Sequence, residues 1–461
     1  MPIIKAYTLP HPPLAIPEIG HGQEKEISRT LTSFNEVAAE IADLAPDTVI
    51  FVTPHNVLYA DYFHISPGSS AVGSFSRFNA ANVKMSIKYD EDLINEITEI
   101  AGKSGIPAGT LGEKDSTLDH GLMVPLYFIK NRYSEFQSIR ISQSGLEPSE
   151  HYKLGIAINK AVEKLDRRVV LIASSDLSHK LKNDGPYGFS PEGPEFDKAV
   201  VDALKNAEFL TLLEIPEALR RKAAECGYNS LMVLAGCFDK RQVTAKMYSY
   251  EGPFGVGYAI ASFTPGKPDE GRDILARYNE ETLRKTRAIE HSEDQYQALA
   301  RRSLEYTVKK GADMPLPEGL PEEMTEKKAG VFVSLHKYGC LRGCIGTIAP
   351  TTGCIAKEII QNAVSAGLHD SRFDPVKASE LPFLTYKVDV LSEAEPITGP
   401  EELDVKRYGV IVTSGYKRGL LLPNIDGVDT IAEQIAIARS KAGISETAAI
   451  KLERFEVIRH E

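Results

Sequence analysis

The feature that most constrains this chain is an alternation in residues 1–265, where short β-branched apolar runs are separated by longer amphipathic ones. "IIKAYTL", "TVIFVTP" and "VVLIASS" have the length of buried strands and are bounded by turn residues. Between them, "KEISRTLTSFNEVAAEIADL" and "HYKLGIAINKAVEKL" repeat apolar residues at helical spacing. A chain that keeps returning from helix to apolar strand lays those strands side by side in a mostly buried sheet with helices on its faces, an α/β fold. "GVGYAIASF" reads as the closing strand, and the Pro-, Gly- and charge-rich "TPGKPDEGR" as the domain exit. Residues 266–288 then form linker and helix, and 280–310 read as charged amphipathic helix. Residues 289–461 change texture. "GVFVSLHKYG", "FLTYKVDVL", "YGVIVTS", "GLLLP" and "RFEVIRH" are strands, and "TIAEQIAIARSKAG" is a helix ending on glycine. A smaller α+β domain is predicted there.

At 461 residues the chain is too long for one ordinary core. Its net charge of −11 argues against nucleic acid or an anionic membrane surface as the main partner. No apolar run approaches the ~20 residues of a membrane span, and "MPIIKAYTLPHPP" meets prolines and a histidine before a signal-peptide core could form. The 5 cysteines are odd in number and all follow residue 225, so a disulfide framework is not expected and a reducing cytoplasm is.

Three of the 11 histidines closely follow an apolar strand: His11 ("IIKAYTLPH"), His55 ("TVIFVTPH") and His179 ("VVLIASSDLSH"). Ligands of open α/β sheets bind beyond the carboxyl ends of the strands, so these three converge on one crevice. His120, in "STLDHGLMVPL", precedes an apolar helix and adjoins Asp119, which can orient it. A carboxylate or thiol comes from "AAECGY", where Glu225 and Cys226 lie side by side at a predicted helix start. Neighbours on a helix point about 100° apart, so only one of them faces a metal. Two histidines and an acid make the facial triad of non-haem Fe(II); zinc-dependent hydrolysis is the rival use of the same ligands.

"LPHPP", "TPHN", "LDHG", "SSDLSH" and the acid of "AAECG", in this order, resemble the class III extradiol ring-cleavage dioxygenases over residues 1–265. The resemblance implies ferrous iron held by His11, His55 and Glu225, with Cys226 as the alternative ligand. It implies His179 as general acid/base and His120 as the histidine facing bound oxygen. The substrate would be a catechol-like, metal-chelating aromatic, with O2 as co-substrate. Asp176 reads as a turn or N-cap residue, with orientation of the site as the minor reading. "LRGCIGTI", "HDSRFDPV" and "LTYKVDVLSE" resemble the AMMECR-type domain (AmmeMemoRadiSam system protein A), which makes the first domain similar to the Memo-like protein B of that system. A radical-SAM protein is then the expected third component, and superfamily analogy points to a homodimer. The Memo branch carries a cysteine near 226, and implies an iron- or copper-binding redox or interaction protein without ring cleavage. Since only one of the two can face a metal from a regular helix, and the resemblance to the catalytic branch implies Glu225, Glu225 is expected at the metal and Cys226 in the packing beneath it.

In the second domain, His336, Cys340 and Cys344 lack a paired CxxC and read as structural, as does Cys354 at a helix start. "LRGCIG" is predicted as a tight turn using Gly343 and Gly346, with Arg342 free to bind an anion. Arg342, His369, Asp370 and Arg372 are candidates for a surface site.

Overall fold

The structure, a computed structural model, describes residues 3–114, 117–425 and 427–461. It divides into two compact units, Met1–Asn279 and Glu280–Glu461.

The first unit is built on a six-stranded sheet in the order Gln137–Ser142, Thr48–Thr53, Val169–Ser174, Lys5–Leu9, Tyr258–Pro268, Arg241–Glu251. The first four strands are mutually parallel; the last two are antiparallel to their neighbours. Every residue of Thr48–Thr53 and Val169–Ser174 is buried, which is why they read as unbroken apolar runs. Helices Ser28–Leu44 and His120–Lys130 pack together, as do Pro148–Leu165 and Tyr228–Gly236. The second pair meets through glycines. A Cβ on Gly155 would stand 2.1 Å from the Val233 carbonyl oxygen, and one on Gly236 would stand 1.9 Å from that of Tyr152. The three strands that precede His11, His55 and His179 are neighbours in this sheet, so their carboxyl ends form one continuous edge.

Two boundaries differ from expectation. The closing strand runs past residue 265 to Pro268 because it stays paired with the strand Arg241–Glu251, and Ile274 is buried in the first unit's core. The division between units falls inside the helix Ile274–Ser292. The predicted helix over 280–310 is also two helices. Asp294 caps the second, Gln295–Lys310, by accepting from the N–H groups of Tyr296 and Gln297, and Gln297 answers in a capping box.

The second unit holds two antiparallel four-stranded sheets. One is ordered Cys340–Gly346, Val331–Lys337, Leu384–Leu391, Val457–His460; the other Glu395–Ile397, Lys451–Phe455, Gly409–Ser414, Lys417–Leu421. Helices Gln295–Lys310 and Ile355–Leu368 pack on the first sheet, and Ile431–Lys441 on the second. "LRGCIG" is strand rather than turn. Its Gly343 lies against the helix Ile355–Leu368, where a Cβ would stand 2.1 Å from the Ala366 carbonyl oxygen. Among the described residues, no helix is long and apolar enough to cross a membrane.

Candidate metal centre

His11 follows the strand Lys5–Leu9 and is buried, held from both sides. Its backbone N–H donates to Asp176 Oδ1 at 2.7 Å, and its Nδ1 lies 2.9 Å from Ser174 Oγ. Ser174 donates its single hydroxyl proton to the Gly121 carbonyl at 2.6 Å. Its oxygen therefore accepts from His11 Nδ1–H, which leaves Nε2 with a free lone pair. Around that lone pair stand His55 Nε2 at 3.0 Å, Cys226 Sγ at 3.4 Å and Asp176 Oδ2 at 3.7 Å.

His11, His55 and Cys226 form a group of three metal-binding side chains whose ligand atoms all lie within 4.8 Å of one another. Glu225 does not join it. The reason is local backbone geometry: the helix Glu217–Ala223 ends at Ala224 in the left-handed conformation (φ 52°), and the next helix begins only at Tyr228. Residues 225 and 226 therefore sit in a connecting loop, and the 100° helical argument does not apply to them. Glu225 turns back to accept from the Tyr228 backbone N–H at 2.7 Å, stabilising the helix start. Cys226 faces the histidines instead of lying in the packing beneath. The loop is pinned there by Gln143, which donates to the Cys226 carbonyl at 2.9 Å, and by Gly227, whose close approach leaves a Cβ no room: it would stand 2.2 Å from the Ser175 Cβ.

The other two predicted histidines flank the group. The His120 ring stacks on that of His55 at 4.2 Å between centroids, and Phe78 meets the His120 ring edge-on at 5.4 Å. His179 Nε2 lies 3.9 Å from Cys226 Sγ, and its outer face is stacked by the solvent-facing Tyr187 at 4.9 Å. Asp119 caps the helix His120–Lys130 through the Leu122 N–H. Asp176 is more than a turn residue, since it holds the His11 backbone.

Burial, reinforced by the neighbouring imidazoles, holds His11 well below the usual histidine range. Burial lowers His55 against the opposing pull of Asp119, and brings His120 and His179 each to about 4. Burial also raises Asp176 to about 7 and, with the negative charges of Asp176 and Glu225 beside it, pushes the Cys226 thiol up. The imidazoles are thus neutral and present lone pairs. A cation among them reverses the effect on the thiol, because a coordinated thiol loses its proton. Around one ion at bond lengths of about 2.1 Å to nitrogen and 2.3 Å to sulfur, tetrahedral donors stand about 3.3 to 3.6 Å apart. The 3.0 and 3.4 Å separations lie close to that spacing, so the donor set fits a single metal.

Sequence reasoning missed several supports. Ser174 orients His11; Asp197, on the helix Glu192–Asn206, accepts from the Ser178 N–H at 2.7 Å and holds the turn carrying His179. Ser174 stood in the strand-end motif "SSDLSH" and was in principle visible there. Asp197 carried no local signal.

In the second unit, Arg342 is not free for an anion. Its Nε and Nη2 donate to the two oxygens of Glu380 at 3.0 and 3.1 Å, and Nη2 also donates to the Asp374 carbonyl. Arg372 is likewise bidentate to Asp370, whose Oδ2 also accepts from the Cys344 N–H. These charges tie loop 369–375 to the strand Cys340–Gly346. His369 ends the helix Ile355–Leu368, and Cys354 is buried at its start. Among the described residues, no three-ligand group includes His336, Cys340 or Cys344.

The fold and the histidine-lined strand edge define an oxygenase-like α/β unit joined to a separate α+β unit. Residues 5–261 match the family of the catalytic LigB subunit of aromatic ring-opening dioxygenase, and residues 297–460 match AMMECR1. The chain belongs to the LigB family, with an AMMECR1 domain fused behind it. A Clostridium acetobutylicum protein is 43% identical over 463 residues, covering 98% of both chains. A Thermotoga maritima protein matches 36% of this chain at 48% identity, over 98% of its own length. Among solved structures, a Pyrococcus horikoshii protein matches 36% of this chain and 88% of its own at 34% identity, with a TM-score of 0.33.

Proposed function

We propose that the first unit is a metal-dependent oxidoreductase whose single metal is held by His11, His55 and Cys226. The observation that supports this best is the convergence of two imidazole nitrogens and one thiol at the carboxyl edge of the sheet. A bound metal supplies Lewis-acid and electron-transfer chemistry at that point. Ser174 keeps the His11 lone pair aimed inward, His179 stands beside the thiol as the acid/base group, and His120 stacks on the His55 ring. A soft thiolate in place of a hard carboxylate favours copper, iron or zinc over the oxygen-liking metals, and supports the Memo-like reading. Iron-dependent cleavage of a catechol-like ring with O2 is the second reading. It is favoured by the retention of both His120 and His179, which simple metal storage does not require. The small chelating aromatic substrate belongs to the ring-cleavage reading; a reducing cytoplasm, a homodimer and a radical-SAM partner are proposed under both.

Anaerobic loading with Fe(II), Cu(I) or Zn(II), followed by metal analysis and oxygen uptake with a panel of catechols, separates the readings. One tightly held metal without uptake supports the Memo-like reading. Uptake with iron alone supports ring cleavage. Failure to retain any metal sinks both.

A further inference from the structure

The donor set rests on a buried charge that neither the family match nor the metal ligands account for. Arg140, in the strand Gln137–Ser142, is 1% exposed and among the largest fully buried side chains of the protein. Its Nε donates to Ser66 Oγ at 2.7 Å and its Nη1 to the Thr117 carbonyl at 2.6 Å, while Nη1 stands 3.8 Å from Asp119 Oδ2. A guanidinium at that depth demands a partner, because an isolated charge out of water is very costly. Asp119 stands at ion-pairing distance with one carboxylate oxygen.

The other oxygen of Asp119 does the local work. Oδ1 accepts from Thr53 Oγ1 at 2.6 Å and from the Leu122 N–H at 3.1 Å. Thr53 in turn accepts from the His55 backbone N–H at 3.3 Å. The capped helix begins with His120 itself, and its next residue, Gly121, offers the carbonyl that Ser174 uses to orient His11. Gly121 sits tight against this knot: a Cβ there would stand 2.5 Å from Thr53 Oγ1 and 3.4 Å from the His55 ring. One carboxylate therefore connects to His55 through Thr53, to His120 through the helix start, and to His11 through Gly121 and Ser174.

We propose that Arg140 is a positioning residue for the metal centre, fixing Asp119 and through it the mutual placement of His11, His55 and His120. The inference rests on the proposed metal site but concerns how that site is set. At 3.8 Å the contact is an ion pair rather than a hydrogen bond, and between two buried charges such attraction is little screened and holds the carboxylate towards the guanidinium; outer partners of ligating histidines typically govern metal affinity by 10- to 100-fold.

The test uses the full chain and Co(II) as probe, read by equilibrium binding and by the absorption of the bound ion, whose visible bands and sulfur charge-transfer band report ligand geometry. Arg140→Met should weaken Co(II) at least ten-fold and alter the visible bands, with an intact far-UV CD spectrum. Thr53→Val, which keeps side-chain shape and removes only the link from Asp119 to His55, should weaken Co(II) in the same direction and answers the question if Arg140→Met does not fold. Unchanged affinity and bands in folded Arg140→Met, or in Thr53→Val, overturn the positioning role and leave the metal site standing. A wild-type chain that binds no Co(II), or whose binding survives Cys226→Ala intact, fails the proposed function instead.

Discussion

At the scale of single residues, the neighbours 225 and 226 have separate tasks, and substitution should show it. Cys226→Ala removes one of three donors and is expected to abolish stoichiometric metal binding while leaving the fold intact, as read by metal analysis after dialysis. Glu225→Ala should keep the metal and lower stability by about 1 kcal/mol, the usual cost of losing a helix cap, measured by urea unfolding. The buried His151 makes a pH prediction. Ser144 N–H donates to its Nε2, and its Nδ1 bonds the Glu147 carbonyl, so the ring is held neutral; burial lowers it to about 4. In the unfolded chain it titrates near 6.5. The unfolded state therefore binds the proton more readily, and the native state loses stability as pH falls from about 6.5 to about 4, with no further loss below. The contribution is on the order of 3 kcal/mol. In chelator, wild type and His151→Gln should differ in the acid slope of their unfolding free energy; parallel slopes would refute the assignment.

At the scale of elements, the site depends on how closely two helices cross. Pro148–Leu165 and Tyr228–Gly236 touch backbone to backbone at Gly155 and Gly236, and the loop carrying Cys226 enters the second of them directly. Gly236→Ala forces a Cβ against the Tyr152 carbonyl, and overpacking of this kind typically costs about 1–3 kcal/mol. The helix Tyr228–Gly236 should shift, so metal affinity is expected to fall together with melting temperature. A melting change with unaltered affinity would show that the crossing does not set the loop.

At the scale of the whole molecule, the two units have separate buried clusters of their own. Calorimetry should resolve two transitions. The proposed metal site lies wholly in the first unit, so saturating metal should raise one transition by several degrees, in line with about 2.7 kcal/mol at a hundred-fold excess over Kd. Chelator should reverse that shift and leave the other transition in place. A single transition moved as a whole by metal would contradict independent units.

Much of this was legible in the linear chain. Short, β-branched apolar runs bounded by turn residues read as strands buried on both faces, so "TVIFVTP" and "VVLIASS" point to a parallel sheet, and histidines just past them to its ligand-binding edge. Local propensity carries such signals because they depend on a few adjacent residues. The supports from Asp197 and Arg140 were not legible, since each acts on a partner many residues away, and Arg342 looks free until Glu380 comes into view. Which of residues 225 and 226 faces the histidines was likewise beyond the sequence. "AAECGY" shows that an acid and a thiol compete; it does not show that the helix ends at Ala224, one residue short of them. That left-handed turn, with Gln143 and Ser175 pressing on the loop, points Cys226 at His11 and sends Glu225 to the next helix. Side-chain direction is set by backbone dihedrals, and here only tertiary packing chose them.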